Sequence, residues 1–192
     1  IEADALVMND MMSIDEFIQK HGLGKDLIVS GDPGLHYLAG NVLMRSSPWM
    51  HSVMCKAWKV CPSPGFDQMG AMATILGGGD PDKEETWKES YGKVVGSGIT
   101  EKEQLDAMQR LRQDTRDHVS FLPQKAMNSY DDSYTNGDWI AHFAGSLKKK
   151  ELVAKYAAKL EASKDSNRLL QAAPSHSCGD VQVRLSGWSC AA

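Results

Sequence analysis

Two carboxylates, Glu2 and Asp4, stand one residue apart in the opening stretch IEADALVMN. On a regular strand residues i and i+2 share a face, so both side chains can converge on one ion where the strand ends. A divalent cation such as Mg²⁺ or Mn²⁺ takes one or two such carboxylates together with the phosphates of a substrate. Ile1 and the apolar run from Ala5 to Met8 place the acids at the mouth of a core strand. A second constellation lies in HFAGSLK, where His142, Gly145 and Lys148 follow the pattern H-x-x-G-x-x-K. Imidazole suits Mn²⁺ as a borderline ligand, glycine lets backbone approach a phosphate closely, and lysine offers a point charge to a diphosphate. Each constellation also has a plain reading. The acids can be a solvated strand end; the His can close a strand and the Lys can open a basic helix face.

The chain has 192 residues, 42% hydrophobic and 24% charged, which is ordinary for one globular domain with a sizeable core. Its net charge of −4 supplies no broad basic surface, so nucleic acid is not among the expected partners. No apolar run approaches the ~20 residues of a membrane span, and the first residues are acidic where a signal peptide is basic. By itself the chain is expected to be soluble. Cys55, Cys61, Cys178 and Cys190 lack the paired spacing of a zinc site, and a small disulfide loop between Cys178 and Cys190 is open in an oxidising compartment.

Positioning the two constellations requires strands and helices in alternation. The apolar run at residues 5–8 predicts a strand, and MSIDEFIQKHG predicts a helix with Ser13 at its cap and acids in the first turn. DLIVSGDPG and GNVLMRSS predict two further strands, the second closing on serines that cap the helix PWMHSVMCKAWKV, with Trp49, Val53, Ala57 and Trp58 as its core stripe. FDQMGAMATIL predicts a helix ended by three glycines. EKEQLDAMQRLRQDTRDH predicts a solvated helix, HVSFLPQ a short strand, and residues 139–143 another after a turn-rich stretch. KKKELVAKYAAKLEA predicts a last helix with Leu152, Tyr156 and Leu160 on one stripe. The alternation indicates an α/β sheet. The organisation expected is one domain over residues 1–162 and a poorly ordered tail over 163–192.

The order of motifs resembles glycosyltransferase family 34, the galactosyl, mannosyl and xylosyl transferases of GT-A fold. EADALVMN is similar to that family's D-x-D strand followed by A-L-x-M-N; LAGNVLMRSSPW is similar to x-A-G-x-x-L-x-R-x-S-x-W. A helix opening with Asp-Gln matches FDQMGAMATIL, and P-Q-x-x-N-S-Y before G-D-x-I-x-H-F-A-G matches LPQKAMNSY and GDWIAHFAG. The resemblance runs from residue 1 to about residue 150. It implies a GT-A nucleotide-diphospho-sugar transferase fold whose N-terminal nucleotide-binding strands, stem and single membrane anchor are missing from this chain. The chain is then expected to be a C-terminal part of a catalytic domain, inactive and marginally stable alone, from an enzyme of the Golgi lumen.

Carried over residue by residue, the resemblance implies that Glu2 and Asp4 bind Mn²⁺ and the ribose or diphosphate, that His142 completes the metal shell, and that Gly145 and Lys148 meet the diphosphate. Asp67 and Gln68 fall on the acceptor side of the sugar, where Gln68 can stabilise charge at the anomeric carbon; Asp67 is the candidate base if one is needed. Glu2 stands where the family has Asp, and Leu38 where many members have Asn. The implied reaction is transfer of a hexose or pentose, with retention, from a nucleotide-diphosphate sugar to a glycan or glycoprotein acceptor. A metal-dependent phosphohydrolase using Glu2, Asp4 and His142, and a non-catalytic remnant of the fold, are the alternatives. His142→Ala is expected to weaken Mn²⁺ dependence with folding largely intact, and His118, with no motif around it, to tolerate alanine.

Overall fold

The computed structural model describes residues 4–9, 11–31, 40–60, 68–83, 85–86, 90, 102–103, 106 and 110–168, with backbone alone at 68–69 and 163–168. Its class is mixed α/β, built on two small sheets. Strand β1 (Ala5–Val7) leads into helix α1 (Ile14–His21). Ser13 and Glu16 close a reciprocal capping box at the start of α1, each side chain holding the other's backbone N–H. At the other end the chain passes so close to the next strand that a Cβ on Gly22 would lie 2.1 Å from Ile28 Cδ1. Glycine is what permits that approach.

Strand β2 (Leu27–Ser30) is buried along its whole length. It pairs antiparallel with β3 (Val42–Met44) and parallel with β4 (Val119–Leu122), giving the order β3-β2-β4. Because strand side chains alternate, Leu27 and Val29 face one layer and Ile28 the other. The first layer is made by helices α2 (Pro48–Val60) and α3 (Gln68–Leu76), with Met50, Val53, Ala57, Val60 and Leu76 closing over Leu27 and Val29. On the opposite face Phe17, Met127, Trp139 and Ile140 pack on Ile28 and Leu122, and the rings of Phe17 and Trp139 stack at 4.1 Å. Covering both faces is what the apolar run Leu27 to Val29 of β2 demands.

The second sheet has the order β1-β6-β5, with β6 (Ile140–His142) antiparallel to β1 and parallel to β5 (Ser129–Tyr130). Helix α4 (Gln113–His118) precedes β4, and helix α5 (Lys149–Arg168) follows β6. Alternation along β6 sends Ile140 into the cluster with Phe17 and sends Ala141 against Tyr156 and Leu152 of α5.

Several expectations change. Trp58 is 70% exposed, and the inner stripe of α2 is Met50, Val53, Ala57 and Val60. The helix predicted over 101–118 is broken before α4: Leu111 turns into the core, and the buried Thr115 hydroxyl donates to the Leu76 carbonyl at 2.9 Å, so this face is not solvated. Strand β5 lies in a stretch read as turns. Helix α5 continues to Arg168, beyond the boundary expected at 162, and residues 169–192, with Cys178 and Cys190, lie outside the described residues.

Candidate functional site

Antiparallel pairing of β1 and β6 sets Ala5 opposite His142, which brings Asp4 to the end of β6. The Phe143 amide donates to the Asp4 carbonyl at 2.9 Å and continues the ladder one step past the strand. The result is an imidazole and a carboxylate side by side, with His142 Nε2 3.4 Å from Asp4 Oδ1. His142 is buried, at 2% exposure, and Asp4 stands at the rim with its side chain 18% exposed.

Asn128 orients the ring. Its side-chain NH₂ donates to the Gly31 carbonyl at 3.2 Å, which turns Oδ1 toward His142 Nδ1 at 2.5 Å. An amide oxygen only accepts, so Nδ1 carries a proton, and Nε2 is the ring atom that faces Asp4, as the second N–H of an imidazolium or, with the ring neutral, as a donor atom for a metal. Fixing the tautomer through the remote nitrogen is how histidine ligands of metals are held. Tyr130, directly across from His142 in the ladder, tilts its ring toward the imidazole at 5.7 Å.

A cation is beside the pair: Lys149 Nζ lies 2.6 Å from Asp4 Oδ2. Partial burial alone would raise the Asp4 carboxyl, but the hydrogen bond from Lys149 and the charges of His142 and Lys149 hold it below the ordinary carboxylate range. Lys148, expected to meet the diphosphate, is exposed, and its backbone amide donates to Ser146 Oγ. Gly145 is in the left-handed region, with φ of 71°, and a Cβ there would meet nothing within 4 Å. Conformation rather than crowding therefore selects glycine, and the turn it makes swings α5 back so that its first residue meets Asp4.

Glu2 and Asp67 lie outside the described residues, and Gln68 opens α3 with its backbone alone described. Among the described residues no group of three or more His, Cys, Asp or Glu side chains gathers around one point. Asp4 and His142 supply one hard oxygen and one borderline nitrogen, a donor pair that Mn²⁺ accepts. Asn128 and Lys149 were not singled out in the sequence, although Asn128 is the Asn of the PQKAMNSY block. Asp138, from the same family pattern, has a structural part: it accepts from the Thr135 amide at 2.9 Å and from Ser129 Oγ at 2.8 Å, tying β5 to the turn before β6.

A second polar cluster sits at the other end of β2. Asp26 is buried, and His118 Nδ1 lies 2.5 Å from its Oδ2, with Arg45 at 3.9 Å from Oδ1. Trp49 stacks on His118 at 4.5 Å and sends its indole N–H to Asp114 at 3.1 Å. Burial would raise the Asp26 carboxyl, yet hydrogen bonds from His118 and Ser47 bring it below its ordinary value. His118 is thus bonded to a buried charge and is no neutral position for alanine. Nor does His142→Ala leave folding untouched, since the ring is enclosed and bonded to Asn128.

No protein-family model, curated protein or solved structure matches this chain. Any reading of its function therefore rests on the order of its motifs and on the geometry around Asp4.

Proposed function

We propose that this chain belongs to a Mn²⁺-dependent, retaining glycosyltransferase of GT-A fold, moving a sugar from a nucleotide diphosphate to a glycan acceptor. The observation that carries the reading is the meeting of Asp4 and His142 Nε2 at 3.4 Å, with Asn128 orienting the ring through Nδ1. These residues are 138 positions apart (142 − 4), and both come from blocks that resemble family 34. The mixed α/β architecture, with β2 and β4 parallel and covered on both faces, is compatible with that fold.

In this reading Asp4 and His142 hold the ion together with Glu2. A bound Mn²⁺ supplies Lewis-acid stabilisation of the departing diphosphate. The chain's own contribution is preorganised charge: Asn128 orients His142, the Gly145 turn brings Lys149 beside Asp4, and Gln68 is the candidate on the sugar side. Asp67 is the candidate base if one is needed. Cys55 is disulfide-bonded, and the three other cysteines lie outside the described residues. A disulfide is the chemistry of an oxidising compartment and supports a lumenal, Golgi location. Among the described residues no helix is long and apolar enough to cross a membrane.

The test is product analysis with Mn²⁺, a panel of uridine- and guanosine-diphosphate sugars and oligosaccharide acceptors, using a protein that contains this chain. Sugar appearing on the acceptor, lost in Asp4→Asn, supports the reading. Release of inorganic phosphate without transfer points to the phosphohydrolase; no Mn²⁺-dependent binding of any sugar nucleotide refutes the transferase and favours the non-catalytic remnant.

A further inference from the structure

Lys149 is poorly placed for a cation, except for Asp4. It is the first residue of α5, where the unpaired amides of the helix start disfavour positive charge, and it lies between Lys148 and Lys150 in an unbroken basic run. Its side chain is 48% exposed, so nothing encloses it. Yet its ammonium sits 2.6 Å from Oδ2 of Asp4, the length of a strong charge-assisted hydrogen bond, while Oδ1 faces the imidazole. Lys155, on the same helix, makes the corresponding contact with Asp131 at 3.0 Å, beyond reach of the site.

We propose that Lys149 is the resident counter-ion of Asp4, which a divalent cation must displace before the carboxylate can serve as a ligand. The inference rests on the reading of Asp4 and His142 as metal ligands. Ammonium and divalent ion claim the same carboxylate, and at close quarters they repel each other. Lys149 therefore lowers the affinity of the free protein for metal and leaves Asp4 charge-compensated until the metal arrives. Lys148, one residue earlier and exposed, has no such hold.

The experiment is calorimetric titration of Mn²⁺ into a protein that contains this chain, as wild type, Lys149→Met, Lys155→Met and Asp4→Asn, each checked for a cooperative melt. Because a half-exposed ion pair is a modest competitor, Lys149→Met should bind Mn²⁺ about three- to tenfold more tightly than wild type. Lys155→Met, whose contact is with Asp131, should match wild type, and Asp4→Asn should bind far more weakly. A second readout needs no variant. Amine-directed acetylation followed by mass spectrometry should modify Lys149 faster when Mn²⁺ is added, and Lys155 at an unchanged rate. Unchanged or weaker Mn²⁺ binding in Lys149→Met, or Lys149 acetylation indifferent to Mn²⁺, overturns the counter-ion while Asp4→Asn still reports the metal site. Wild type and Asp4→Asn binding alike, or neither binding, overturns the metal reading and the counter-ion with it.

Discussion

Replacing His142 with alanine separates a metal ligand from a core histidine, because the structure makes it both and the two roles move different observables. The ring is 2% exposed and donates to Asn128, itself fully buried. Taking away a buried hydrogen-bond partner costs about 1–3 kcal/mol. Emptying a space of that size adds a cavity term of the kind that brings large-to-alanine changes to about 2–5 kcal/mol. A total near 4 kcal/mol is expected, which at roughly 2–4 °C per kcal/mol for a chain of this length lowers the melting temperature by about 8–16 °C. The metal readout is separate. Losing one of two or three donors should move the Mn²⁺ midpoint at least about tenfold, or ~1.4 kcal/mol. Met50→Ala is the matched control: Met50 is 1% exposed in the layer between β2 and α2 and should cost about 2–5 kcal/mol with the Mn²⁺ midpoint unmoved. The assay is Mn²⁺ titration below the melting range of each variant, alongside thermal melts. A His142→Ala protein that melts early but titrates like Met50→Ala refutes the ligand assignment and, with it, the proposed function.

Three further outcomes follow from features away from the metal. His118→Ala leaves the buried Asp26 carboxylate with Arg45 at 3.9 Å and the Ser47 hydroxyl, and should destabilise by about 1–3 kcal/mol in urea melts; a change under 0.5 kcal/mol would mean solvent replaces the imidazole freely. Since the folded-state value of Asp26 is depressed, its stabilisation is complete above the ordinary carboxylate value of about 3.9 and is lost as pH falls through the lower folded value. Asp26→Asn should therefore flatten the acid limb of a urea-midpoint against pH curve, and an unchanged limb would contradict the assignment. Ser13→Ala opens the capping box of α1 and should cost about 1 kcal/mol, measured by thermal melt; no loss would show that Glu16 alone holds the helix start.

Signals confined to a few residues were legible in the sequence. Ser13 and Glu16 announced α1, the serine-proline step at Ser47-Pro48 announced α2, and the short apolar run Leu27 to Val29 announced β2. His142 and Asp4 were legible as ligand types, and the pairing of β1 with β6 brings them together. What escaped depends on distant geometry. Asn128 orients His142 only because the Gly31 carbonyl, 97 positions earlier, receives its amide. Which of three consecutive lysines meets Asp4 depends on the left-handed turn at Gly145 and on where α5 begins, and neither is written in the spacing H-x-x-G-x-x-K. Trp58 misled because it neighbours Ala57 in sequence, while the helix turns it outward onto the exposed face. β5 is only two residues long and is held by Ser129 and Asp138 rather than by any apolar run.

The stack of Trp139 on Phe17 gives the molecule an optical gauge beside its candidate site. Trp139 is 5% exposed and lies three residues before His142, about 10 Å along an extended chain. Trp58, at 70% exposure, sits on the outer face of α2. A sheltered indole emits at shorter wavelength than a wet one, so the two rings contribute at opposite ends of the emission band. Loosening of the second sheet should redden the blue component and leave the red one still, whereas global unfolding merges them. The chain has five tryptophans, so it is the difference in emission between the protein and its Trp139→Phe variant that can tell a site that opens from a protein that melts.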